Sequence, residues 1–122
     1  MTNERRKTGN EGEQLALAYL KNNGYKIIEQ NYRTRFGEID IVALDGEIVC
    51  FIEVKTRSSV NFGMPVESIT NLKKKKMIRT AFSYLRFKKW EEREARFDVV
   101  SILLKSGQKT EIEIIKNAFE IE

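Results

Sequence analysis

The stretch Gly37-Glu38-Ile39-Asp40-Ile41-Val42-Ala43-Leu44-Asp45-Gly46-Glu47-Ile48-Val49-Cys50-Phe51-Ile52-Glu53-Val54-Lys55 leaves a chain of this kind few ways to fold. Two apolar, β-branched runs flank Asp45-Gly46, and Asp-Gly is a strong hairpin signal because both central positions of a type I′ turn require positive φ. A two-residue turn at Asp45 and Gly46 sets Leu44 opposite Glu47, Ile41 opposite Cys50 and Glu38 opposite Glu53. Side chains alternate along a strand and opposed residues share a face, so Glu38, Asp40, Glu53 and Lys55 project to one side of the sheet. Asp40 and Glu53 become diagonal neighbours, roughly 7–8 Å apart at Cα.

Two carboxylates at that spacing can converge on one cation. Hard oxygen ligands with open coordination positions suit Mg²⁺, which is usually held by one or two carboxylates and keeps several waters. Lys55 could then orient an attacking water or stabilise charge on a scissile phosphate. The competing reading is a solvated or ion-paired surface cluster, the ordinary fate of a carboxylate near a lysine. Two features weigh against it. The strands are too apolar for an exposed ribbon, so these charges sit at the margin of a buried sheet, where unpaired charge is costly. Glu53-Val54-Lys55 is also the only place in the chain where an acid stands two residues before a lysine.

Composition narrows the chemistry. The 122 residues contain no histidine, which removes Ser-His and Cys-His nucleophiles and His-ligated metals, so hydrolysis here must use carboxylates, lysine and metal. Cys50 is the sole cysteine and reads as a small core residue on the Ile41 side of the hairpin. At 41% hydrophobic content the length suits a single domain, residues 1–122. A net charge of +4 favours polyanionic partners, although such an excess is common in proteins that touch nothing acidic. The polar N-terminus and the absence of a long apolar run point to a cytoplasmic protein that meets no membrane.

Residues 1–9, with Arg5-Arg6-Lys7, read as a flexible arm. From about Asn10 to Asn23 the spacing of Leu15, Ala16, Tyr19 and Leu20 predicts a helix closed by Gly24. Glu13 lies in its first turn on the side of Ala16, Leu17 and Leu20. It is either a helix-dipole acid or, if that turn approaches the hairpin, part of the acidic cluster. Tyr25 to Glu29 reads as a strand and Asn31 to Gly37 as a connecting turn, where Arg33 and Arg35 alternate with Tyr32 and Phe36 and could hold phosphates or stack bases. After Lys55 a loop rich in turn formers, Thr56 to Pro65, is expected, and a second helix from about Pro65 to Phe87 with Ile78, Ala81, Phe82 and Leu85 as its apolar stripe. Lys73, Lys74 and Lys76, in a run of four lysines, are candidate phosphate contacts, with solubility the alternative explanation. Strands from Ala95 to Leu104 and Glu111 to Ile115 complete an α/β chain.

The elements Gly12-Glu13-Gln14-Leu15-Ala16, Asn31-Tyr32-Arg33, Gly37-Glu38-Ile39-Asp40, Phe51-Ile52-Glu53-Val54-Lys55-Thr56-Arg57 and Arg96-Phe97-Asp98-Val99 resemble the YraN-type bacterial family over about Asn10 to Phe119. That family is similar to archaeal Holliday-junction resolvases of the PD-(D/E)XK nuclease superfamily. The resemblance implies a restriction-endonuclease-like core, a central mixed β-sheet flanked by helices, with the metal site where two strands diverge. It implies that Asp40 and Glu53 bind Mg²⁺ or Mn²⁺, that Lys55 serves a metal-activated water, and that Glu13 completes the cluster. On this resemblance the expected function is a metal-dependent DNA endonuclease, with branched or damaged DNA as the candidate substrate and a homodimer as the match to a symmetric junction; Arg57 is a further candidate nucleic-acid contact. Ile39 stands where the superfamily pattern has proline. The alternative is a non-catalytic or partner-dependent nucleic-acid-binding module that retains the nuclease fold.

Overall fold

Strands buried on both faces carry near-continuous apolar runs, whereas edge strands alternate with polar residues. The chain obeys this division. In a computed structural model, which describes residues 2–57, 69–104 and 110–120 with side chains from residue 11 onward, five strands form one sheet in the order β1-β2-β3-β4-β5. These are β1 (Lys26–Thr34), β2 (Gly37–Asp45), β3 (Ile48–Arg57), β4 (Ala95–Leu103) and β5 (Glu111–Phe119). No residue of the three central strands is exposed, whereas β1 and β5 mix covered and exposed positions. Helix α1 (Thr2–Asn22) covers one face and α2 (Asn71–Lys88) the other.

Only β3 and β4 run parallel, and α2 is the crossover between them. The remaining neighbours are antiparallel. This is an α/β fold with a five-stranded mixed sheet flanked by helices, as in a restriction-endonuclease-like core. Leu17, Leu20, Ile41, Ala43, Cys50, Ile52 and Val100 pack under α1, and Val42, Phe51, Met77, Tyr84, Phe97 and Val99 pack under α2. Among the described residues no helix is long and apolar enough to cross a membrane.

Several boundaries differ from the sequence-based expectation, each for a local reason. The hairpin turns at Gly46-Glu47 rather than Asp45-Gly46, with Asp45 opposite Ile48. Gly46 takes φ 63 and Glu47 does not take a positive φ, which is the type II′ pattern with glycine at the first central position. Every pairing therefore moves by two residues, so that Leu44 faces Val49 and Ile41 faces Ile52, while each side chain keeps its face. Strand β1 continues through Asn31, at φ 52, to Thr34, its pairing with β2 in step on either side of Asn31, leaving Arg35-Phe36 as the turn. Helix α1 starts at Thr2, upstream of the expected Asn10 and through the segment read as an arm.

Helix α2 starts at Asn71, capped by Thr70, whose hydroxyl accepts the Lys73 N–H at 3.1 Å. Its buried side is Met77, Thr80, Ala81, Tyr84 and Leu85. The helix is thus rotated away from the expected stripe, and Phe82 is exposed. The loop after Arg57, through Pro65, lies largely outside the described residues. Strand β5 runs on to Phe119, four residues past the expected Ile115.

Candidate active site

Strands β2 and β3 pair as far as Ile41 and Ile52, and the carboxylates follow at the next step. Strict alternation fails here. Ile39 packs beneath α2 and Ile41 beneath α1, although two residues apart on one strand they would ordinarily share a face. The break falls on Asp40. Across the ladder, Gln30 faces Ile41 and Tyr32 faces Ile39, so the left-handed Asn31 sits at the same level. The Asp40 carboxylate accepts the Val54 N–H at 2.9 Å, just past the last β2–β3 pair.

Glu53 is the buried acid of the site, 4% exposed. Its Oε2 accepts an ion-paired hydrogen bond from Lys73 Nζ of α2 and lies 3.7 Å from Lys55 Nζ, two residues along its own strand. Asp40 has no cation of its own among the ion pairs of the described residues. Burial, then the charge of Glu53, pushes its carboxyl up to about 7, with a hydrogen bond to Glu53 in the same direction and the Val54 N–H opposing. Two carboxyl groups this close in a dry environment cannot both ionise without a compensating positive charge.

Helix α1 brings Glu13 to the flank of the pair. Gly12 makes this possible, since a Cβ built there would overlap Thr56 Oγ1 and stand 3.2 Å from Thr56 Cβ, so α1 lies directly on the end of β3. Partial burial, then the charge of Glu38, raises the Glu13 carboxyl, and its own charge reaches Asp40. Gly37 does the same for α2. A Cβ there would lie 3.2 Å from Lys76 Cβ and 3.3 Å from Thr80 Oγ1. Two glycines thus let both helices close on the end of the sheet that carries the acids.

A cleft of about 360 Å³ opens at that end, lined among others by Glu38, Asp40, Glu53, Lys73 and Lys76. The four lysines of α2 divide around the helix. Lys73 and Lys76 line this cleft, whereas Lys74 and Lys75 line another beside Phe119, with Lys74 5.6 Å from its ring centroid. Arg33 is ion-paired with Glu38 at 3.1 Å, and Arg35 stacks on Phe36, which also carries Arg79 at 4.7 Å. Arg57 ends β3, its carbonyl accepting the Leu104 N–H.

The donors present fit a hard divalent cation that keeps most of its water. Asp40 and Glu53 offer carboxylate oxygens in one cleft, the donor type that such a cation takes. Among the described residues no three acids, cysteines or histidines form a metal-holding group, so Glu13 stands at the flank rather than within a closed cage. The Lys73 contact is absent from the sequence-based expectation. Its only trace there is a lysine in the first turn of a helix that carries no acid in that turn, against the preference of the helix dipole.

Residues 12–102 match the model of the uncharacterised protein family UPF0102. A UPF0102 protein of Syntrophus aciditrophicus is 47% identical over 115 residues, covering 94% of this chain and 90% of the relative. One from Geobacter metallireducens is 47% identical over 93% of this chain and 92% of its own length. One from Moorella thermoacetica is also 47% identical, over 98% of this chain and all of its own. The matched segment begins at Gly12, at the helix contact beside the acids, and ends within β4, so it contains the described site, and the chain belongs to UPF0102, the YraN-type, nuclease-like family.

Proposed function

We propose that this protein is a metal-dependent DNA endonuclease that hydrolyses phosphodiester bonds in branched or damaged DNA. The observation that carries the reading is the pair of half-buried Asp40 and buried Glu53 in one cleft, held where β2 and β3 part, with Lys55 on the same strand as Glu53. Asp40 and Glu53 would hold Mg²⁺ or Mn²⁺. What the cation supplies when bound is Lewis acidity toward the phosphodiester and toward a water, together with positive charge against the scissile phosphate. Asp40 is positioned by the Val54 N–H, so its carboxylate is oriented before any ligand arrives. Lys55 Nζ stands beside Glu53 and can orient the attacking water or stabilise the developing charge. Lys76 at the mouth of the cleft, with Arg35 and Arg79 around Phe36, supplies cations for the flanking phosphates.

The test is cleavage of end-labelled four-way junction, flap, single-stranded and linear duplex DNA with Mg²⁺ or Mn²⁺, comparing wild type with Asp40→Asn. Metal-dependent products that vanish in the variant support the proposal and rank the substrates. A second reading, a nucleic-acid-binding module that keeps the fold, draws on Lys73, which already neutralises Glu53. It predicts no cleavage by either protein and equal, salt-sensitive DNA binding by both.

A further inference from the structure

Lys73 and Lys55 both address Glu53 Oε2, yet they are built differently. Lys55 lies on the sheet with a quarter of its side chain exposed, whereas Lys73 reaches in from α2 with 43% of its side chain exposed. Its backbone is anchored by the Thr70 cap, so the start of its stem is fixed while the ammonium is free to swing about four rotatable bonds. A lysine in the first turn opposes the helix dipole and contributes nothing to helix stability there. Its position is explained instead by the acid it meets. Glu53 is buried with a second carboxyl, Asp40, beside it in the cleft, and a buried carboxylate without a cation is costly.

We propose that Lys73 is the resident cation of the Asp40/Glu53 pair, and that a divalent ion binds by displacing it. This rests on the metal-binding part of the proposed function. The displaced ammonium remains in the cleft with Lys76, where a DNA phosphate can receive it. Ion binding and phosphate binding then favour one another, since the ion frees the lysine that the phosphate takes up. Before the ion arrives, Lys73 satisfies the acids and weakens the affinity for metal.

The experiment is Mn²⁺ binding to the full chain, followed by electron paramagnetic resonance of the free ion, for wild type, Lys73→Met, Lys73→Gln, Lys73→Arg and Lys76→Met. Loss of the resident cation should tighten Mn²⁺ binding by about tenfold in Lys73→Met and Lys73→Gln. Lys73→Arg should keep the wild-type affinity. Lys76→Met removes an equal charge from the same cleft without touching Glu53, and should change affinity by no more than about threefold. Melting in chelator gives a second readout, with Lys73→Met and Lys73→Gln below wild type and recovering more than wild type when Mn²⁺ is added. Equal tightening in the Lys73 and Lys76 variants, or none in either, overturns the displacement while leaving the nuclease reading intact. Absence of Mn²⁺ binding by every protein, wild type included, overturns both. Tight Mn²⁺ binding with the expected ranking but no DNA cleavage supports the displacement and removes only the nuclease.

Discussion

Two acid clusters lie on opposite faces of the same central strands, and they are treated in opposite ways. Beneath α1, Asp98 is fully buried, yet both its oxygens receive Arg96 Nε at 3.0 and 3.1 Å, and the Asn117 N–H donates to it at 2.9 Å. Arg96 goes on to Asp45 at 2.7 Å and to the Tyr25 hydroxyl at 3.0 Å. The ladder even bends for it, because Asn117 adopts φ 52 where the β4–β5 register shifts opposite Asp98. On the other face, the charge of a second acid, Glu53, raises Asp40, and Glu53 itself is paired with Lys73 from α2 and Lys55 from its own strand. A buried acid clamped by an always-charged guanidinium is architecture. An acid raised by another acid, on the lining of a cleft, is where the proposed cation would bind.

The sharpest way to break this contrast is Arg96→Met. It leaves Asp98 and its neighbours without their cation and should cost about 3–5 kcal/mol in denaturant unfolding. A loss below about 1 kcal/mol would mean that this cluster is as dispensable as an exposed pair. Asp40→Asn should go the other way. Its carboxyl ionises near the ordinary 3.8 in the unfolded chain and at about 7 in the folded one, so wild-type stability falls as pH rises between those values and is flat above them. In chelator the variant should be more stable than wild type by about 2 kcal/mol at pH 8 and no more stable at pH 4. Parallel stability profiles for the two proteins would show that Asp40 is not held against its charge.

Gly12→Ala tests the helix contact that brings Glu13 to the acids. Overlap with Thr56 outweighs the better helix propensity of alanine, and a loss of about 1 kcal/mol is expected. A gain in stability would mean that α1 can lift from β3 at no cost. The smallest effect belongs to Asp45→Asn, a partly exposed acid whose carboxyl the Arg96 hydrogen bond lowers below its ordinary value. It should cost about 0.5 kcal/mol and leave any stabilisation by Mn²⁺ unchanged, whereas Asp40→Asn should abolish that stabilisation. A Mn²⁺ response lost in Asp45→Asn and kept in Asp40→Asn would exchange the roles assigned to the two clusters.

Much of the site is legible in the sequence, and the reason is periodicity. Bringing Asp40, Glu53 and Lys55 to one end of the hairpin needs only two strands and a two-residue turn. Within the paired stretch a slip of two residues changes partners without changing faces, whereas the break in alternation at Asp40 is not visible in the sequence. The second helix is less legible. Its sequence contains Met77, Ala81, Tyr84 and Leu85 on one side and Ile78, Phe82 and Leu85 on an overlapping one, and the rotation that buries the first set depends on the sheet it meets. The lysine run is illegible for the same reason. Which of four consecutive lysines reaches an acid follows from that rotation, and it assigns Lys73 to Glu53 and Lys74 to Phe119.

The order of elements, the hairpin, the acids it carries and the absence of histidine all follow from the linear chain, because alternation, turn chemistry and composition are properties of neighbouring residues. Which cations meet which acids is a tertiary matter. Those contacts depend on how closely α1 and α2 approach the sheet, at Gly12 against Thr56 and at Gly37 against Lys76 and Thr80, and so on distances between residues far apart in the chain.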